Sequence, residues 1–274
     1  MPPQNTNPSS QPIGVFDSGV GGLTVVSAIR NLLPSENIFY LGDTARVPYG
    51  GKSGETIERY SIEISDLLLA EQAKVIVVAC NTASALGLPR LKERLKVPVL
   101  GVITPGAQAA VRATKNGIVG VIGTRATIAS GAYERAIHEC NPDIKVIRRP
   151  CPLLVPLIEE SLLEDALTDQ FLQRYLEPLI REGIDTLVLG CTHYPLLKEA
   201  IQRVAGNAIT LVDSAENCAI AVRELLAQNT TAASASQHGN LQVAFTDATE
   251  GFFRVAERNL GLNIGEVQLR TVQN

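Results

Sequence analysis

The sequence predicts an α/β protein of two pseudosymmetric α/β/α lobes with mainly parallel sheets. Three observations lead there. First, short apolar runs alternate with segments of helical period along most of the chain, the order of parallel strands joined by crossover helices. Second, two of these runs end alike. Val75-Ile76-Val77-Val78-Ala79 leads to Cys80 and then Asn81-Thr82, and Thr186-Leu187-Val188-Leu189-Gly190 leads to Cys191 and then Thr192-His193. Third, the flanks repeat. Pro89-Arg90-Leu91-Lys92-Glu93-Arg94-Leu95 and Pro195-Leu196-Leu197-Lys198-Glu199-Ala200-Ile201 share the pattern Pro-x-Leu-Lys-Glu-x-aliphatic, with proline placed to open a helix. Val15-Phe16-Asp17-Ser18 matches Val121-Ile122-Gly123-Thr124, and Ala28-Ile29 stands before Pro34 as Ala136-Ile137 stands before Pro142. Ser18 to Cys80 spans 62 residues and Thr124 to Cys191 spans 67. Ordinary α/β chains also repeat strand–helix units, but here polar positions match as well as apolar period.

Taken in order, residues 1–12 form a tail rich in Pro, Asn, Ser and Gln, without the basic and apolar segments of a secretory signal. Its composition is that of a disordered segment. A strand over 13–16 meets the glycine-rich turn 17–22 and a helix over 23–33. A strand over 38–42 leads into a polar loop through Pro48-Tyr49-Gly50-Gly51-Lys52. A helix over 55–70, a strand over 75–79, a helix over 86–94 and a strand over 97–102 complete the first half. The second half opens near Thr104-Pro105 with a helix over 106–114. Then come a strand over 118–122, a helix over 126–139, a strand over 145–148 and an irregular helical stretch over 153–160. A helix over 170–181, a strand over 186–189, a helix over 196–204 and a strand over 208–212 follow. A helix over 215–227 precedes a Thr-, Ala-, Ser- and Gln-rich flexible linker over 228–240. A strand over 242–245 and a helix over 249–259 close the chain. The first lobe is expected to comprise 13–103 and 214–274, the second 104–213.

Composition narrows the function. The chain has 274 residues, 45% of them apolar, enough to bury a sizeable core in two lobes. No apolar stretch reaches the length of a membrane-spanning helix. The net charge is −4, with no basic patch interleaved with aromatics, so no nucleic-acid partner is expected. Five widely spaced cysteines point to a reducing, cytoplasmic setting rather than a disulfide framework. With no Cys-x-x-Cys and three histidines, no metal site is expected.

In open α/β sheets, ligands bind beyond the carboxyl ends of the strands. Both cysteine frames fall at such ends. One strand-end cysteine is an ordinary packing residue; two in repeated frames suggest acid–base chemistry from two sides of one small molecule. Asp17 and His193 are the candidate tuners of those thiols, although His193 alone also suits a structural role. Asn81, Thr82, Thr192 and Thr124 add donors and hydroxyls suited to a carboxylate, or to helix capping. The turn Asp17-Ser18-Gly19-Val20-Gly21-Gly22 lacks the glycine order of a dinucleotide site and the Lys of a P-loop. It reads better as backbone donors for an amino acid, with Asp17 near the amine or a thiol; a capping Asp with packing glycines is the plainer alternative. Cys140, Cys151 and Cys218 lie in no repeated frame and read as packing or surface residues.

The segments Asp17-Ser18-Gly19-Val20-Gly21-Gly22, Pro48-Tyr49-Gly50, Ala79-Cys80-Asn81-Thr82-Ala83, Pro152-Leu153-Leu154-Val155-Pro156-Leu157-Ile158-Glu159 and Leu189-Gly190-Cys191-Thr192-His193-Tyr194-Pro195 together resemble glutamate racemases of the aspartate/glutamate racemase family, in order and spacing, over 13–227. The resemblance implies a cofactor-independent racemase with its active site in the cleft between the lobes. It implies that Cys80 and Cys191 are the acid/base thiols, assisted by Asp17, His193 and the glutamate aligned as Glu159, beside Glu160. It implies that Asp17, Ser18, Tyr49, Gly50, Asn81, Thr82, Thr124, Thr192 and His193 contact glutamate. It further implies D-glutamate supply for peptidoglycan synthesis, and a homodimer. The alternatives are a racemase for aspartate or another acidic or cyclic substrate, a silent two-lobed binding protein, and a regulatory module with a degenerate site.

Overall fold

The computed structural model describes residues 8–234, 238–247, 260–262 and 264–272. Among the described residues, ten strands are β1 (Ile13–Asp17), β2 (Ile38–Gly42), β3 (Val75–Val78), β4 (Val99–Gly101), β5 (Ile118–Gly123), β6 (Lys145–Pro150), β7 (Thr186–Gly190), β8 (Thr210–Asp213), β9 (Leu241–Phe245) and β10 (Val267–Leu269). The helices are α1 (Leu23–Leu32), α2 (Gly54–Ala70), α3 (Asn81–Leu86), α4 (Leu88–Arg94), α5 (Ile103–Ala113), α6 (Arg125–Ala129), α7 (Ala132–Cys140), α8 (Leu154–Glu159), α9 (Ala166–Arg181), α10 (Lys198–Ala205) and α11 (Ser214–Gln228).

Two sheets result. One has the order β10-β9-β2-β1-β3-β4 and the other β6-β5-β7-β8. Every strand pairing among the described residues is parallel. The run β2-β1-β3-β4 repeats as β6-β5-β7-β8, so the sequence repeat is a repeat of topology. β1, β3 and β7 are buried along their whole length, as expected for parallel strands with both faces covered by helices. That is why Val75–Val78 reads as an unbroken aliphatic run rather than an alternating one. The largest apolar cluster crosses from one half to the other, from Val15, Val26 and Ile29 to Leu187, Leu189 and Leu226.

Several local readings change. The helix expected over 86–94 is preceded by a turn of helix that begins at Asn81, capped by the Cys80 sulfur, which accepts the Ala83 N–H at 3.5 Å. The helix expected over 126–139 breaks at Gly131, whose φ of 65° is a left-handed conformation suited to glycine. After Cys191, Tyr194–Leu197 forms a 3-10 turn before α10. Of the tail expected to be disordered, Pro8–Ser10 forms a 3-10 turn, and the Ser9 carbonyl accepts Lys74 Nζ at 3.1 Å. β10 was not anticipated: three residues at a sheet edge carry no periodic signal. The helix expected over 249–259 lies outside the described residues. No helix among the described residues is long and apolar enough to cross a membrane.

Candidate active site

β1, β3, β5 and β7 deliver Ser18, Cys80, Thr124 and Cys191 to one cavity of about 720 Å³, within the range of roughly 300–1,000 Å³ typical of small-molecule sites. Tyr49, Gly50, Asn81, Thr82, Glu159, Thr192 and His193 line it too, as does Glu160. Asp17 is the exception among the expected site residues. It is fully buried and is not part of the cavity wall. Its Oδ2 accepts the Gly19 N–H at 3.0 Å, and its Oδ1 accepts from Thr192 Oγ1 at 3.4 Å. Asp17 thus shapes the glycine turn and reaches across to the second cysteine frame.

The two thiols are buried but differently surrounded. Cys80 Sγ lies 3.6 Å from Ser18 Oγ. Burial, reinforced by the Asp17 carboxylate, pushes its pKa up to about 12, against the opposing pull of the Ala83 N–H and Ser18. At neutral pH Cys80 is therefore a neutral thiol in the ligand-free protein. Cys191 Sγ lies 3.9 Å from His193 Nδ1, and His193 Nε2 lies 3.2 Å from Glu159 Oε1. Burial works to lower the His193 pKa, but the Cys191 sulfur, Glu159 and Asp17 outweigh it and raise the pKa to about 10. His193 is then a cation at neutral pH. Glu159, not Glu160, makes the contact with His193. Burial also raises Asp17, partly offset by His193 and by the N–H groups of Gly19, Gly22 and Ser18.

The halves are stitched together at the cavity. Thr82, Thr124 and Thr127 hydroxyls form a triangle with edges of 3.0, 3.1 and 3.0 Å. Tyr133 Oη donates to Asn81 Oδ1 at 2.7 Å. Asn81 Nδ2 is buried without a hydrogen-bond partner, so the amide holds a donor in reserve at the cavity wall. Thr24 Oγ1 lies 3.0 Å from the Thr192 carbonyl. Glycine permits the closest approaches. A Cβ on Gly21 would stand 2.4 Å from His193 Nδ1, and one on Gly50 would stand 2.9 Å from Thr124 Cβ.

Sequence reasoning missed Tyr133, Thr127 and Asp43. Thr127 carried a signal, lying one helical turn after Thr124. Tyr133 acts through Asn81, 52 residues away, and carried none; Asp43 bonds Arg46 and Tyr49 close by as well as Thr246 far off, and no recognised pattern marked it. The Tyr49 hydroxyl is bonded to Asp43.

The site combines a neutral thiol on one half, the Cys191 sulfur beside an imidazolium on the other, and hydrogen-bond donors lining the same cavity. Such an arrangement contains the groups that general acid–base chemistry uses. The model of the Asp/Glu/hydantoin racemase family matches residues 18–224. The glutamate racemase of Geobacter metallireducens is 50% identical over 255 residues, 93% of this chain and 94% of that protein. A glutamate racemase isoform of Bacillus anthracis superposes with a TM-score of 0.91 at 43% identity, covering 97% of this chain and 98% of that one. The glutamate racemase of Francisella tularensis, solved with D-glutamate, gives 0.90 at 35% identity, covering 97% and 99%. A family match over most of the chain, with relatives this similar along nearly their full length, makes the protein a member of the Asp/Glu/hydantoin racemase family.

Proposed function

We propose that the protein interconverts L- and D-glutamate without a cofactor, with Cys80 and Cys191 exchanging the α-proton on opposite faces of the substrate. The observation that carries this reading is the equivalence of the two sulfurs. They follow β3 and β7, strands at the same place in the four-strand run that the two sheets share, and both line one cavity.

The α-proton of an amino acid is very weakly acidic, and inversion requires its removal from one face and delivery to the other. One base would have to cross the carbon; two need not. In each direction one sulfur acts as thiolate and the other as thiol, and the roles reverse with the handedness of the substrate. His193, 3.9 Å from Cys191, is placed to exchange a proton with that sulfur, and Glu159 orients the ring. On the other side, a substrate ammonium entering near Asp17 and Cys80 offsets the negative surroundings that hold Cys80 as a thiol. The unpartnered Asn81 donor and the hydroxyls of Thr82, Thr124 and Thr192 suit a carboxylate and the charge that develops on it as the α-carbon loses its proton. Glutamate is favoured over aspartate by the names of the relatives and by the D-glutamate bound in the Francisella tularensis structure. The product would supply peptidoglycan synthesis in the cytoplasm, and the working form would be a homodimer.

The test is incubation of the purified protein with L-glutamate in heavy water. Optical rotation decays to zero while deuterium enters the α-position. Unchanged rotation without exchange sinks the proposal, and faster turnover of L-aspartate reassigns the substrate. Cys80→Ser should abolish α-exchange from one enantiomer far more than it weakens binding. Equal, near-normal exchange from both enantiomers would overturn the two-thiol mechanism.

A further inference from the structure

One buried carboxylate near the cavity has no part in the proton transfer. Asp43 follows β2 directly and is fully buried. Its carboxylate gathers three donors: the Tyr49 hydroxyl, Arg46 Nε at 2.7 Å and Thr246 Oγ1 at 2.9 Å. Its N–H donates to the Asp17 carbonyl at 3.0 Å. Thr246 follows β9 and also accepts the Ala45 N–H at 2.9 Å. Thr44 and Asp247 exchange a second pair of hydrogen bonds, at 2.8 and 2.9 Å. Between Asp43 and Lys52 the chain forms one wall of the cavity through Thr44, Val47, Pro48, Tyr49, Gly50 and Gly51. That wall packs by Gly50 against Thr124 of the other half.

A loop of this kind has few backbone bonds of its own, so its shape depends on what its side chains grip. Three donors on one desolvated carboxylate are a strong hold, because each bond is charge-assisted and the buried Tyr49 hydroxyl would be orphaned without it, although Arg46 also pairs with Glu63. We propose that Asp43 is a positioning residue for glutamate binding: through the Tyr49 hydroxyl it fixes the 44–51 wall, and through Thr246 it ties that wall to the segment after β9. The proposal rests on the glutamate racemase reading. Because Asp43 touches no reacting atom, its effect falls on substrate binding rather than on proton transfer.

The test compares Asp43→Ala, Asp43→Asn, Tyr49→Phe and the Asp43→Ala/Tyr49→Phe double variant with wild type. In Asp43→Ala, KM for glutamate rises about tenfold or more while kcat stays within about threefold, the signature of lost uniform binding. Asp43→Asn keeps one acceptor for Tyr49, and its KM falls between wild type and Asp43→Ala. The double variant is no worse than Asp43→Ala, because both changes cut the same bond. Amide hydrogen exchange reads the wall without relying on turnover. Residues 44–51 exchange faster in Asp43→Ala while β7 does not. Where Asp43→Ala does not fold, Tyr49→Phe alone carries the same two expectations, a raised KM and faster exchange over 44–51. An unchanged KM with a lowered melting temperature, additive effects, or a wall that exchanges no faster overturns the proposal. Wild type that leaves L-glutamate unracemised overturns the parent reading instead, and the exchange comparison still decides whether Asp43 holds the wall.

Discussion

Replacing His193 with Asn should change the pH dependence of stability in a defined window. His193 is 6% exposed. Burial alone would favour the neutral ring, yet the Cys191 sulfur, Glu159 and Asp17 raise the pKa from 6.5 to about 10. At 1.36 kcal/mol per unit, a rise of that size is worth roughly 5 kcal/mol, an order-of-magnitude figure for a buried group coupled to its neighbours. The folded state holds the proton more tightly than the unfolded chain. The stabilisation is therefore complete below pH 6.5, declines as pH rises, and is gone above about pH 10. Urea unfolding of wild type and His193→Asn, from about pH 6 to about pH 10.5, isolates the term, since other titrating groups are common to both proteins. The stability difference between them should move against the variant at the acid end and shrink steadily toward the alkaline end. A difference that stays flat across the window would show that His193 is not held as a cation.

Three further outcomes are expected. Lys74 and Glu36 form a buried ion pair at 2.6 Å that also ties down the Ser9 and Thr231 carbonyls; Lys74→Met should cost about 3–5 kcal/mol by urea unfolding, with much of it recovered in Lys74→Met/Glu36→Leu. Gly21→Ala places a Cβ 2.4 Å from His193 Nδ1; kcat/KM for glutamate should fall by about a hundredfold in a protein that still folds, because a displaced ring misaligns proton transfer. Iodoacetamide at neutral pH, mapped by mass spectrometry, should label exposed Cys140 first and leave Cys80, Cys151 and Cys218, whose pKa values burial raises to about 12, unmodified on the same timescale; early labelling of Cys80 would contradict its assignment as a thiol in the ligand-free site.

The parallel sheets were legible because strands buried on both faces show as continuous aliphatic runs, and Val75–Val78 and Thr186–Gly190 are such runs. The cysteine frames were legible because the repeat puts them at equivalent strand ends. The helix beginning at Asn81 was not, because its cap is the Cys80 sulfur rather than a Ser, Thr, Asp or Asn. The break at Gly131 was available in principle, yet a glycine within a helical period need not end the helix. Asp17 was expected near the amine or a thiol; its charge does act on Cys80, but it lies behind the turn that it braces, because sequence gives the strand end, not the depth of the side chain. The grip of Thr246 on Asp43 joins residues 203 apart, and no local pattern records such a pairing.

The two halves repeat the backbone but not the electrostatics, and this sets a constraint on the proposed reaction. Cys80 faces a buried carboxylate and a hydroxyl, whereas Cys191 faces an imidazolium. L- and D-glutamate have identical free energies in water, so their equilibrium constant is one. The Haldane relation then forces kcat/KM to be equal in the two directions whatever the environment of each sulfur. The asymmetry of the site can appear only in kcat and KM separately, with both shifted by the same factor between enantiomers. Time courses from pure L- and pure D-glutamate should therefore give equal initial rates well below KM and unequal rates at saturation. Mutations on one side, such as Glu159→Gln beside His193, should change the ratio of the two kcat values while leaving the two kcat/KM values equal to each other. Equal kcat values that stay equal after Glu159→Gln would mean that the different surroundings of the two thiols are levelled once substrate is bound, and that the ligand-free electrostatics do not govern the proton transfers.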